Sequence, residues 1–295
     1  MGYSVELMSL FMEMTERGLF KDIKRVADLG SQEMHFAERD SDSFPYKESI
    51  RNAITALGGP LISDDQLERL ANRSPVSAFF SLVGIDYKAL DADGWYGRPF
   101  DFNLDHVESP DRGSYCFTLN AGTTEHLIDQ KNAFSIVHDL TRSGGLMYHG
   151  VPFLGGVNHG YFNYHPNYFL DLARFNSYEI LGLWICPVGS AALIPWAPGG
   201  KILKYLKVED NLMVDICCLF RKTNDLEFCI PFQRSYEAAQ APENLARYSY
   251  IVDGVRLSGT HAVEISQKHR SIETVSGDRL IRELIKRIRR KLFHP

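Results

Sequence analysis

Apolar and polar positions along this chain change period most clearly between residues 115 and 152. An apolar run over 115–119 leads into a turn of small residues: Asn120, Ala121, Gly122, Thr123 and Thr124. Helical spacing follows in Ile128, Phe134, Ile136, Val137 and Leu140. Gly144 and Gly145 predict the stop, and a second apolar run over 146–151 ends at Pro152. Strand, helix and strand in that order predict a βαβ unit with parallel strands. Open parallel sheets bind ligands at the carboxyl ends of their strands, which makes 120–126 and 149–153 candidate site loops.

The same patterns organise the rest of the chain. Val5, Leu7, Met8, Leu10, Phe11 and Met14 form one apolar side of a helix over 3–19. A strand over 23–29 is expected to pass through Asp28 to Gly30 and Ser31, with a helix from Gln32. A helix start there would offer free N–H groups to an anion, and glycine would let the backbone approach it. Pro45, Gly58, Gly59, Pro60 and Pro75 divide 40–80 into short helical pieces, read as an insertion capping the sheet. Further strands are expected over 87–90, 99–102, 178–186, 212–220 and 247–252, with a helix over 167–176. A Pro/Gly loop over 187–200 is placed to cover a site. Leu280, Ile281, Leu284, Ile285 and Ile288 alternate with Lys and Arg in a basic amphipathic helix over 279–293.

Composition narrows the class. The chain has 295 residues, 44% of them apolar, and a net charge of −5, a balance that argues against nucleic acid as its main partner. Five cysteines sit mostly in apolar runs with no CxxC pair, so reduced thiols in a cytoplasmic protein are expected. The first thirty residues carry charges throughout, unlike a signal peptide, and no run suits a membrane span. The basic terminal helix suits an anionic membrane surface, at the inner face of the membrane, or a groove on the domain or on another subunit of a homo-oligomer.

Chemistry-bearing positions cluster at the predicted strand ends. The turn after Asp28 and Gly30 lacks the further glycines of GxGxxG, and Asp91 lies well beyond the ~20-residue spacing of a nicotinamide ribose acid. Asp91, with Asp93 as its rival, is suited to hold vicinal ribose hydroxyls; Asp101 and Asn103 could read an adenine amino group. His149, His159 and His165 fall on one predicted loop rim with Tyr161 and Tyr164, in a spacing that matches no zinc motif. They predict a substrate pocket that Glu125 and His126 would also line, with no metal. The alternative for Glu125 and His126 is capping of the following helix by Thr123 or Thr124. A histidine can take a proton near neutral pH, so His159, with His165 second, is the candidate general base.

The segments VADLGSQ (26–32), ALDADG (89–94), FDFNLD (100–105) and above all AGTTEHLIDQKNAFSIVHDLTRSGGLMYHGVPF (121–153) resemble class I S-adenosylmethionine-dependent methyltransferases. HGYFNYHPNYFLDLA (159–173) is similar to a segment in members from bacterial surface-polysaccharide and small-molecule biosynthesis clusters. The resemblance spans about 23–222. It implies an α/β, Rossmann-like, seven-stranded and mostly parallel sheet of order 3-2-1-4-5-7-6, with the last strand antiparallel and a helical insertion. It divides the chain into a methyltransferase domain over 1–235, with the cap at 40–80, and a C-terminal extension over 236–295. By position it gives the cofactor's methionine part to Asp28 and Gly30, its ribose to Asp91, its adenine to Asp101 or Asn103, and the borders of the methyl group to Asn120, Ala121 and Gly122.

The expectation is therefore a methyltransferase using S-adenosylmethionine on a hydroxyl of a small molecule or glycan. Two rivals stand beside it. A metal-dependent hydrolase using the histidine trio would need a carboxylate or another histidine to complete the ligands. A non-catalytic Rossmann-like protein would bind a partner through its terminal helix.

Overall fold

The computed structural model describes residues 2–35, 46–94, 98–189, 192–196, 213–233, 236 and 240–259. The basic helix expected over 279–293 lies outside the described residues, as do 190–191 and 197–200 of the covering loop expected over 187–200.

Among the described residues eight strands build the central sheet: β1 (Arg25–Leu29), β2 (Asp86–Asp91), β3 (Arg98–Pro99), β4 (Tyr115–Ala121), β5 (Thr141–Leu154), β6 (Glu179–Pro187), β7 (Ile194–Pro195) and β8 (Val214–Arg221). Their spatial order is β7-β6-β8-β5-β4-β1-β2-β3. β1 pairs in parallel with β2 and β4, β2 with β3, and β4 with β5. β8 is antiparallel to both β5 and β6, and β7 is antiparallel to β6. The expected seven-stranded, mostly parallel sheet is thus corrected to a mixed sheet of eight. The added strand carries Pro195, which lacks an N–H to donate, and it lies at the edge where that costs no ladder bond. β8 belongs inside, since Val214, Ile216, Cys217, Cys218, Leu219 and Phe220 are all buried, as a strand covered on both faces requires.

Helices cover both faces. On the first lie α1 (Val5–Glu16), α2 (Tyr46–Ala56), α3 (Asp64–Ala71) and α4 (Val76–Leu82), whose apolar residues share one core with Phe117, Leu119, Leu146 and Tyr148 of the sheet. Phe11 sits at its centre, its ring 6.4 Å from that of Phe117 and 5.3 Å from that of Phe20. Residues of 40–80 such as Ile50, Ile54, Leu67 and Phe79 belong to this face core, where the sequence suggested a cap over the strand ends. On the second face α5 (Gln130–Leu140) and α6 (Pro166–Asn176) pack on Met147, Val151, Ile216 and Phe220. A hairpin of Ser249–Val252 and Val255–Ser258 stacks Tyr250 on Phe175 of α6, ring centroids 3.9 Å apart.

Two expectations about β1 change. No helix starts at Gln32: Gln32 and Met34 are buried while Ser31 and Glu33 are half-exposed, a period of two, and Glu33–His35 forms a short strand beside Gly2–Tyr3 and Asn72–Pro75. The anion-binding helix end expected there is accordingly absent. Asp28 does not reach the loop either. Its side chain is fully buried under the first face, where Oδ2 accepts hydrogen bonds from the hydroxyls of Tyr3 (2.7 Å) and Tyr87 (3.0 Å).

Burial pushes the Asp28 carboxyl from 3.8 up to about 8, against the lowering effect of the two tyrosine hydrogen bonds and of a backbone bond. The folded state therefore keeps a proton that the unfolded chain releases, and this group's contribution to stability is complete below about 3.8 and lost as the pH rises through about 8. Asp28→Asn should flatten the fall in urea midpoint between pH 5 and pH 8; an unchanged slope would show that Asp28 is ionised in the fold.

Candidate functional site

A cavity of 310 Å³ opens at the carboxyl ends of β4 and β5 on the first face of the sheet. Ala121, Gly122 and Glu125 form one wall, Tyr148 and Gly150 of β5 another, and Gly2 and Glu6 close it from the N-terminal segment. His159 enters from the loop after β5.

The turn carrying Glu125 is held by Asn120. The Asn120 Oδ1 accepts from Thr124 N–H (3.2 Å), while Nδ2 donates to Thr124 Oγ1 (2.9 Å) and lies 3.2 Å from His149 Nδ1. Burial lowers His149 to about 3, so its imidazole is neutral and Nδ1 can accept that bond. A single 3-10 turn, Thr124–His126, results, and Asp129, not Thr123 or Thr124, caps α5 by accepting from Asn132 N–H (2.8 Å). Ile128, expected on the helix, is exposed ahead of it.

Glu125 is 0% exposed. Its Oε1 lies 3.2 Å from His159 Nε2 and 3.8 Å from His126 Nε2, and its Oε2 has no partner among the described residues. Burial lifts its carboxyl to about 7, while burial and the adjacent His159 lower His126. The loop bearing His159 is seated on Glu125 by its backbone: Tyr161 N–H (2.8 Å) and Phe162 N–H (3.2 Å) both donate to the Glu125 carbonyl. Gly160 permits this approach, because a Cβ there would lie 2.9 Å from Glu125 Cγ.

A second group of polar residues surrounds the end of β1. Gly30 adopts φ +90°, and a Cβ on it would meet Thr123 Oγ1 at 2.8 Å. Asp91 reaches this turn from β2, Oδ2 accepting from Ser31 N–H and Oδ1 from Ala92 N–H, both at 2.7 Å. Asp93 lies exposed beyond it. Asp28 Oδ1, Ser31 Oγ and Gln32 Oε1 are buried without partners among the described residues.

The remaining sequence candidates are dispersed. His149 is 2% exposed and stacks on Phe134 at 5.0 Å in the second core, so the expected pocket role is corrected to a packing one. Tyr164 is buried on that same side and donates to Gln130 Oε1 (2.6 Å), and Tyr161 is 70% exposed. His165 caps α6, Nδ1 accepting from Asn167 N–H (3.2 Å). Asn103 spends its carbonyl on the N–H groups of Ile128 and Asp129, and Asp101 Oδ1 accepts from Asn103 N–H, bonds that anchor the loop before β4. Asn120 is committed to the turn it holds. Tyr148 and Cys217 line the cavity without having been singled out, and Gly150 does so from the candidate loop 149–153. Strand alternation was the available signal: in β5, residues two apart from Leu146 share its face.

No family model matches the sequence, and no curated protein matches it. Solved structures do. The chain is similar to a SAM-dependent methyltransferase from Archaeoglobus fulgidus, at 12% identity and a TM-score of 0.39 over 74% of this chain and 95% of that one. It is also similar to the 1,6-didemethyltoxoflavin-N1-methyltransferase of Burkholderia thailandensis, at 13% identity and a TM-score of 0.36 over 74% and 87%. The YcgJ protein of Bacillus subtilis matches at 11% identity and a TM-score of 0.37 over 72% and 97%.

The seating of the His159 loop is open to test. Gly160→Ala forces a methyl group against Glu125 and should cost about 1–3 kcal/mol in denaturant unfolding. An unchanged midpoint would mean that the loop does not rest on Glu125.

Proposed function

We propose that this chain is a class I S-adenosylmethionine-dependent methyltransferase acting on a hydroxyl of a small molecule or glycan. The observation that carries the reading is the Glu125–His159 pair, 3.2 Å apart, on the wall of a cavity that Ala121 and Gly122 also border. A buried carboxylate beside an imidazole is suited to take a proton from an acceptor held in that cavity.

The residues around β1 fit the cofactor in part. Gln32 Oε1 is a buried, partnerless acceptor beside the Gly30 turn, which suits an ammonium donor such as that of the methionine moiety. Gly30 leaves room that a side chain would fill, and Asp91 is half-buried at the end of β2, with carboxylate lone pairs left for two ribose hydroxyls. A strand over Glu33–His35 stands where a helix start at Gln32 would have added affinity, so the grip rests on side chains and the turn. When bound, the cofactor supplies an electrophilic methyl group.

The chain's own contribution is chiefly alignment. In-line displacement rewards a fixed distance between donor and acceptor, and effective molarities of such fixed pairs are large. The turn at 120–126 borders the donor side, and the loop through His159 borders the acceptor side. The backbone bonds from Tyr161 and Phe162 to Glu125 tie these two segments together. His159 is the proposed proton acceptor, with Glu125 orienting its ring. His165, on the cap of α6, has no part in this arrangement. Contact with a membrane through 279–293, and pairing with a second copy of the chain, remain proposals that rest on the sequence pattern of that segment.

Calorimetry with S-adenosylmethionine and S-adenosylhomocysteine tests the cofactor. Saturable binding of both is expected, weakened roughly tenfold or more by Asp91→Ala, since loss of a charged hydrogen bond costs ~1.5–3 kcal/mol. Absence of binding by the unaltered protein would end the reading. His159→Ala should lower turnover ~100-fold while leaving cofactor affinity nearly intact; equal turnover would remove it as the base.

A further inference from the structure

We propose that Glu125, His126 and His159 bind a divalent transition-metal cation, with Zn²⁺ best matched to the donors. The three side chains each offer a ligand atom, and all three atoms lie within 4.8 Å of one another. Zinc takes imidazole nitrogen and carboxylate oxygen at ~2.0–2.2 Å in tetrahedral geometry, which sets neighbouring ligand atoms ~3.3 Å apart. The two Glu125 contacts, 3.2 Å to His159 and 3.8 Å to His126, bracket that separation.

An independent observation points to a ligand. Glu125 Oε2 is buried and partnerless, and a carboxylate oxygen in that position is costly unless something positive or a donor meets it. No Lys or Arg pairs with Glu125 among the described residues; its ion-pair partners there are the two histidines. The imidazole rings stand 5.1 Å apart, so charging both to satisfy the carboxylate would set like charges side by side. One divalent ion held by Oε1 neutralises the carboxylate, its charge reaching the adjoining Oε2, and uses the neutral lone pair of each ring.

The site is also built and accessible. Asn120 fixes the turn carrying Glu125 and His126, and Gly160 with the N–H groups of Tyr161 and Phe162 fixes the loop carrying His159. Glu125 and His159 line the cavity and His126 stands behind them, so a tetrahedral ion on the three would keep its fourth position for water or substrate, the arrangement of a reactive centre. An acceptor hydroxyl placed there would lose its proton more readily, because the ion acts as a Lewis acid. His159 would then be a ligand, and the ion would replace its role as base. The spacing hid this cluster, since Glu125 and His126 are adjacent and His159 arrives from another strand end.

The inference stands apart from the cofactor reading and is tested without cofactor. Full-length protein stripped with a chelator would be titrated calorimetrically with ZnCl₂ and, separately, MgCl₂. Saturable binding of one zinc ion per chain is expected, with a rise in melting temperature. Magnesium, which prefers oxygen ligands, should give no saturable heat. His126→Ala and His159→Ala should each weaken zinc binding roughly tenfold or more, while His165→Ala keeps the unaltered affinity. Both altered rings are partly exposed, at 37% and 29%, so the variants should melt at the metal-free temperature of the parent. No saturable zinc binding, or parental affinity in both His126→Ala and His159→Ala, would overturn the inference and return His159 to its role as a metal-free base.

Discussion

The side chain of Asn120 is the constraint on which the site depends. It is fully buried at the end of β4, where no water can replace a lost bond, and it satisfies both Thr124 and the neutral face of His149. Those bonds tie the turn after β4 to the neighbouring strand β5. Glu125 is thereby turned inward against a loop that leaves the carboxyl end of β5. The polarity of His149, in an otherwise apolar core, follows from this need: a buried amide requires a buried acceptor.

The sheet divides the labour between its faces. Residues of β5 that point one way, such as Tyr148 and Gly150, border the cavity, while His149 between them packs among Phe134, Phe169 and Phe220. The first face is closed by the N-terminal segment and α1, so Gly2 and Glu6 stand opposite the strand ends. Asp28 is covered by the same segment through Tyr3. A position that the resemblance gives to the cofactor has thus become a part of the core.

The βαβ unit was legible because its apolar runs and helix are long and its period changes are sharp. Asp91, Ala121, Gly122, Glu125 and His126 fall at or just past strand ends that the apolar runs mark, and His159 falls in the loop after β5. The rest turned on features that no local pattern carries. Glu33 begins a strand because Gly2–Tyr3 and Asn72–Pro75, distant in sequence, pair beside it. His149, His159 and His165 looked equivalent on a linear map, but a pleated strand sends the first into a core, and a helix start takes the third as its cap. The two-residue strand β7 has too little pattern to announce itself.

Hydrogen exchange with and without S-adenosylhomocysteine tests the central claim most directly, because it reports where a ligand touches as well as whether it binds. The account predicts slower exchange at Gly30 and Ser31, at Asp91 and Ala92, and along 120–126, with the hairpin at Ser249–Val252 and Val255–Ser258 unchanged. Protection confined to the hairpin, or none anywhere at saturating ligand, would contradict it.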